Sequence, residues 1–142
     1  DSEVECPEES VTIFSLFPGQ KLRYGKEYSV TIPNDTQIRY YIGWCTREEE
    51  LLEPNLKEME FVFTIDDVSF VHLLKGNYHT LEDEANPSVL TYCYSVSGVV
   101  SGWESGRTYR ITFGFNILTE IDDGWDTYRP EEFTRSYVIT VK

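Results

Sequence analysis

The sequence predicts an all-β fold, an antiparallel β-sandwich of seven to eight strands with one short helical turn near residues 47–53. Three observations predict it. A phrase occurs twice: Gly25-Lys26-Glu27-Tyr28-Ser29-Val30-Thr31-Ile32 reappears as Gly106-Arg107-Thr108-Tyr109-Arg110-Ile111-Thr112-Phe113. Each copy is a turn glycine, a basic residue, a polar residue and a tyrosine that opens an alternating strand. Apolar residues recur with period two over most of the chain, as half-buried strands require. No helical periodicity is long enough for a crossover helix.

The elements follow in order. Val11–Leu16 is the first strand, ended by Pro18-Gly19. Tyr28, Val30 and Ile32 give the second strand one apolar face, and Pro33-Asn34-Asp35 closes it. Ile38, Tyr40, Ile42 and Trp44 form the next inward stripe. Met59, Phe61, Phe63 and Ile65 form another. Asp66-Asp67 makes a tight turn into a less regular strand, Val68–Leu74. Lys75-Gly76-Asn77 breaks the chain, and residues 76–88 read as a long loop. Alternation resumes from Val89 to Val100, with Leu90, Tyr92, Tyr94 and Val96 on one side. Tyr109, Ile111, Phe113, Phe115 and Ile117 are the longest stripe, and Tyr137, Ile139 and Val141 the last. Between the third and fourth stripes, Thr46 is an expected N-cap with Glu48, Glu49 and Glu50 in the first turn, which favours a helix start. Pro54 is expected to stop that helix after one or two turns.

The 142 residues, 40% hydrophobic, fit a single core. We assign residues 11–142 to one sandwich domain and 1–10 to a flexible acidic N-terminal segment. That polar start reads as a mature end or a boundary after a removed leader or linker. The net charge of −13 opposes binding to nucleic acid or to an anionic membrane surface. No run approaches the roughly 18 apolar residues that span a bilayer, so no membrane insertion is expected.

The two Gly-[Lys/Arg]-x-Tyr strand entries, Trp44 ending an early strand, and the stretch from Ile121-Asp122-Asp123-Gly124 to Tyr137-Val138-Ile139-Thr140-Val141 resemble an immunoglobulin-like β-sandwich module of secreted or surface bacterial proteins. The resemblance implies a non-catalytic extracellular spacer or protein-contact role. Its partners would be other domains of the same chain or extracellular proteins. It also implies a tyrosine corner at Tyr109.

Three cysteines leave one unpaired in any monomer with a disulfide. Cys45–Cys93 is the preferred pairing. Cys6 with either of them, or three reduced thiols, are the alternatives. Cys45 and Cys93 both alternate with polar residues, so by parity neither points into the core. Their wide spacing does not suit zinc.

The candidate chemistry lies in loops. Asp122, Asp123 and Asp126 could present oxygen ligands to Ca²⁺, although the spacing is not that of an EF-hand and Asp-Gly is a frequent turn dipeptide. Trp103 and Trp125 stand in turns beside acids, as carbohydrate-stacking rings do, but the favoured reading is that each folds back as a lid over an end of the core. No paired-carboxylate, nucleophile-elbow or phosphate-loop pattern stands out, and no enzymatic activity is expected. His72 and His79 read as structural or solvated. Asn34-Asp35-Thr36 matches an N-glycosylation sequon.

Overall fold

The structure, a computed structural model, describes residues 10–142. Cys6 and all of the expected flexible segment except Ser10 lie outside the described residues.

Strands β1 (Ser10–Thr12), β2 (Glu27–Ile32), β3 (Gln37–Thr46), β4 (Met59–Ile65), β5 (Val68–Ser69) and β6 (Lys75–Glu82) precede β7 (Leu90–Val100), β8 (Thr108–Ile117), β9 (Ile121–Asp122), β10 (Thr127–Tyr128) and β11 (Glu131–Val141). One sheet has the order β1-β3-β7-β6, the other β2-β11-β8-β4-β5, and β9-β10 is a small hairpin. The pairings are antiparallel except β1 with β3 and β2 with β11. The chain therefore gives each sheet one short parallel edge before it builds the rest.

The stripes expected from alternation form the core. Ile38, Tyr40 and Val96 of one sheet meet Ile32, Phe63, Ile111, Phe113, Tyr137, Ile139 and Val141 of the other. A second cluster of Met59, Phe115, Ile117 and Ile121, with Trp44 and Leu56 against it, closes one end. Burying each such side chain contributes about 1.5–3 kcal/mol. Three aromatic rings pack around Tyr40, those of Phe63, Phe113 and Tyr137, at centroid distances of 5.8, 5.8 and 6.1 Å.

Turn chemistry is legible in the backbone. Asp66 and Asp67 take positive φ of 51° and 68°, as a two-residue hairpin turn needs. Gly25 and Gly106, φ 75° and 85°, open the two copies of the repeated phrase. Their N–H groups donate to Thr134 O and Val141 O, which ties each entry to β11. The Tyr109 hydroxyl accepts the Glu104 N–H at 3.0 Å, the bond a tyrosine corner makes.

Four expectations are corrected. The first strand ends at Thr12, and Ile13–Leu16 is a 3₁₀ turn that buries Ile13 as the chain leaves for the other sheet. The strand expected over Val68–Leu74 is only β5, followed by a 3₁₀ turn at Val71–Leu73. The expected loop at 76–88 is largely strand: β6 pairs with β7 along Lys75–Glu82, so the loop proper starts at Asp83. The helix is longer than expected and later. It runs Glu49–Lys57 with Pro54 inside, and Glu48 is its N-cap. Thr46 instead donates its hydroxyl to Glu48 O. Pro54 removes only the bond its N–H would have given Glu50 O. Burial of Leu52 and Asn55 outweighs that loss.

Candidate functional site

Cys45 and Cys93 are bonded, and sit directly opposite each other on β3 and β7 with Cα atoms 4.1 Å apart. The bridge thus joins neighbours within one sheet and does not cross the core. It lies on the outer face, where parity places it, yet Cys93 is wholly buried. His79 is its cross-strand neighbour on β6, and Thr91 Oγ1 approaches its sulfur at 3.9 Å.

The acidic loop is the turn of the β9-β10 hairpin. Asp123 is buried, and its Oδ1 accepts the N–H groups of Trp125 and Asp126, each at 2.8 Å. Asp122 Oδ1 accepts the Gly124 N–H at 2.7 Å. Two of the three aspartates therefore face their own backbone, the arrangement of Asx turns. Among the described residues no group of three His, Cys, Asp or Glu side chains is placed to hold a metal ion. The hairpin is fixed to the helix: Trp44 Nε1 donates to Asn55 Oδ1 at 2.9 Å, and Asn55 Nδ2 donates to Asp122 O at 3.1 Å. Burial, with Asp123 and Asp126 nearby, raises the Tyr128 phenol above its usual range.

The two tryptophans differ. Trp103 is 6% exposed; its Nε1 donates to Thr36 O at 2.7 Å and its ring packs edge-on to Tyr109. It is a lid on the core and offers no open face for a sugar to stack on. Trp125 is 49% exposed at the tip of the acidic hairpin. Trp103 and Trp125 therefore do not form one platform.

Two features were not foreseen. A cleft of about 260 Å³ opens between β4, the end of β7 and the strap 70–73. Phe63, Ile65, Phe70, Leu73, Val99 and Val100 line it with Gly98 and Ser101, so no ionisable group reaches in. Arg135 lies on the inward stripe of β11 between Phe133 and Tyr137, with its guanidinium 4.2 Å from the Tyr24 ring centroid and 5.6 Å from that of Phe14. Its buried Nε has no partner. The signal was a lone arginine in phase with aromatics. His79 Nε2 meets Ser95 Oγ at 2.8 Å on the outer face of the sheet, outside the cleft.

Beyond these clusters, several apolar side chains stand exposed. Val68, Val71 and Leu73 come from β5 and the strap, and Tyr78 and Leu81 from β6. The Tyr78 hydroxyl donates to Glu53 of the helix. Among the described residues no helix is long and apolar enough to cross a membrane. No family model matches the chain, and no curated protein or solved structure does either.

Proposed function

We propose that this chain is a non-catalytic, immunoglobulin-like sandwich module that works by protein contact outside the cell or at its surface. The strand distribution supports the class: β1, β3, β7 and β6 fall where strands A, B, E and D of such a module would, and β4, β8 and β11 where C, F and G would. The module departs from antibody domains in carrying its bridge within a sheet. An internal disulfide fits an oxidising compartment.

The observation that carries the contact reading is the exposure of Val68, Val71 and Leu73 on β5 and the strap, and of Tyr78 and Leu81 on the two faces of the free edge strand β6. Large apolar groups left exposed at a free sheet edge favour a contact role. Site-specific photo-crosslinkers at positions 73 and 78, used in the native extracellular setting, test it. Protein adducts at both positions, with none from a probe at position 35, are expected. The absence of any protein adduct would overturn the reading.

Trp125, half exposed beside Asp122 and Asp126, supports a second reading, a carbohydrate- or Ca²⁺-dependent ligand site. A glycan array comparing the wild type with Trp125→Ala, and thermal melts with Ca²⁺ and with EDTA, separate the two. A native-state ligand would raise the midpoint. A glycan signal lost in Trp125→Ala, or a calcium-dependent midpoint, would favour the second reading.

A further inference from the structure

The four edges of the two large sheets are unequally protected. β1 has three residues and β5 has two. β2 has six, with Glu27 at one end and Pro33 just beyond the other. β6 has eight, and its register with β7 is unbroken from Lys75↔Ser97 to Glu82↔Leu90. It has no proline and no bulge, and residues 76–81 (Gly-Asn-Tyr-His-Thr-Leu) carry no formal charge. Free edges of that length ordinarily carry a charge, a proline or a bulge that discourages pairing. Both faces of β6 also present apolar groups to solvent, Tyr78 at 58% and Leu81 at 51% exposure.

The phase of the free hydrogen-bonding groups follows from the register. Cys45 and Cys93, 4.1 Å apart at Cα, are a non-hydrogen-bonded pair, so the backbone groups of Cys93 point toward β6. His79, opposite Cys93, therefore turns its N–H and C=O toward β7. The Asp83 N–H, donating to Val89 O, confirms that phase four residues on. Gly76, Tyr78, Thr80 and Glu82 then direct their N–H and C=O groups outward. Lys75, Asn77, His79, Leu81 and Asp83 share the face that carries the disulfide.

We propose that β6 pairs antiparallel with β6 of a second copy of this chain, about a twofold axis at His79, joining two four-stranded sheets into one. This proposal rests on the protein-contact reading and names the partner. A twofold axis perpendicular to the sheet keeps faces matched, so same-face residues oppose each other. Centring it on His79 sets Gly76 against Glu82 of the second copy and Tyr78 against Thr80, each a hydrogen-bonding pair. It also sets Lys75 against Asp83 of the second copy, twice, on one face. Charge complementarity selects this register: a shift of one step toward Tyr78 sets Lys75 against Leu81. The occupant is a second copy because β6 has a cation at one end and acids just past the other, which an antiparallel copy matches at both ends.

Sedimentation equilibrium from low to high micromolar protein tests the proposal, at about 0.15 M salt where the screening length of about 8 Å mutes the net charge of each copy. The mass of the wild type is expected to rise from one copy toward two. Thr80→Pro removes an outward N–H and none of the β6–β7 bonds, and should hold the chain monomeric with its melting midpoint near the wild type's. Should that variant lose β6, Leu81→Glu carries the same test. Asp83 Oδ1 also accepts the Ala85 and Asn86 N–H groups, so Asp83→Asn, which keeps that oxygen and removes the charge, is the matched variant. Lys75→Asp should weaken the dimer roughly ten-fold, and Asp83→Asn should weaken it too. A wild type that stays monomeric would refute self-pairing while leaving heterologous crosslinks from position 78 to support protein contact. A dimer that survives both Thr80→Pro and Leu81→Glu would place the interface elsewhere, and a dimer indifferent to both Lys75→Asp and Asp83→Asn would refute the register.

Discussion

Tyr28 and Tyr109 are structural equivalents: each turns its hydroxyl back to accept a backbone N–H five residues upstream, from Arg23 at 2.7 Å and from Glu104 at 3.0 Å. The repeated phrase is therefore one corner used twice. In each, a glycine with positive φ sets the turn, the tyrosine ring packs against the core, and the hydroxyl pins the incoming loop. The two tyrosines serve different strands, β2 and β8, on either side of β11. Tyr28→Phe and Tyr109→Phe should each lower stability by about 1 kcal/mol, the net worth of one hydrogen bond. That corresponds to a fall of roughly 3–6 °C in the melting midpoint of a chain this size. The losses should add in the double variant, since the hydroxyls share no partner. Differential scanning calorimetry checks both statements.

Gly114 is irreplaceable for a different reason. It holds φ at 155°, and a Cβ there would fall 2.1 Å from the carbonyl oxygen of Phe133 on the neighbouring strand. Backbone cannot yield as a side chain can. Gly114→Ala should cost about 3 kcal/mol or more. Gly25→Ala meets no atom within 4 Å and should cost only about 1–2 kcal/mol for its left-handed backbone. Urea midpoints of the two variants should differ in that order.

The Cys45–Cys93 bridge spans a sequence separation of 48 residues. Chain-entropy arguments give such a loop about 4 kcal/mol of stabilisation. The Cys45→Ser, Cys93→Ser double variant should show that loss in urea. Alkylation of the native, unreduced protein followed by mass spectrometry should leave Cys45 and Cys93 unlabelled.

Alkaline pH should unfold the protein through its core tyrosines. Burial first, then Tyr137 nearby, raises the Tyr40 phenol far above its usual value, and burial raises that of Tyr137. The folded state then holds protons that the unfolded state releases above about pH 10. Stability is full below that pH and falls as pH rises past it, by at most about 1.4 kcal/mol per pH unit for each such group and only until that group ionises in the folded state too. Tyr40→Phe should lessen that slope. It should also cost little near neutrality, because the Tyr40 hydroxyl is buried without a partner. Urea titrations from neutral to alkaline pH test this prediction.

Alternation alone located every long strand that has one apolar face, and parity alone put both bridged cysteines outside the core. β6 escaped because its residues alternate nothing: it is held by bonds to β7, and Gly76 is needed where the Tyr94 hydroxyl crosses it. Trp103 reads as a turn residue between Ser101-Gly102 and Glu104-Ser105, and the Thr36 carbonyl, distant in sequence, with the Tyr109 ring, draws it inside. The helix continues through Pro54 because Asn55 bridges Trp44 and the β9-β10 hairpin, partners no local pattern announces. The aspartates of that hairpin looked like ligands for the reason they make good turns: their oxygens accept whatever donors lie two or three residues ahead.

The place of β11 has a consequence for how the protein is made. It is the last of the described strands, yet it lies inside its sheet, between β2 and β8. Tyr28, Val30 and Ile32 therefore wait for Tyr137, Ile139 and Val141, across more than a hundred residues of intervening chain. During synthesis the four-stranded sheet can assemble as soon as β7 has emerged. The five-stranded sheet cannot be completed then, because β11, which joins β2 to β8, is its last strand to be delivered. Until Glu131–Val141 leave the ribosome, β2 has no neighbour in its sheet and the core lacks Tyr137, Ile139 and Val141, so chaperones would meet this chain as an open sheet.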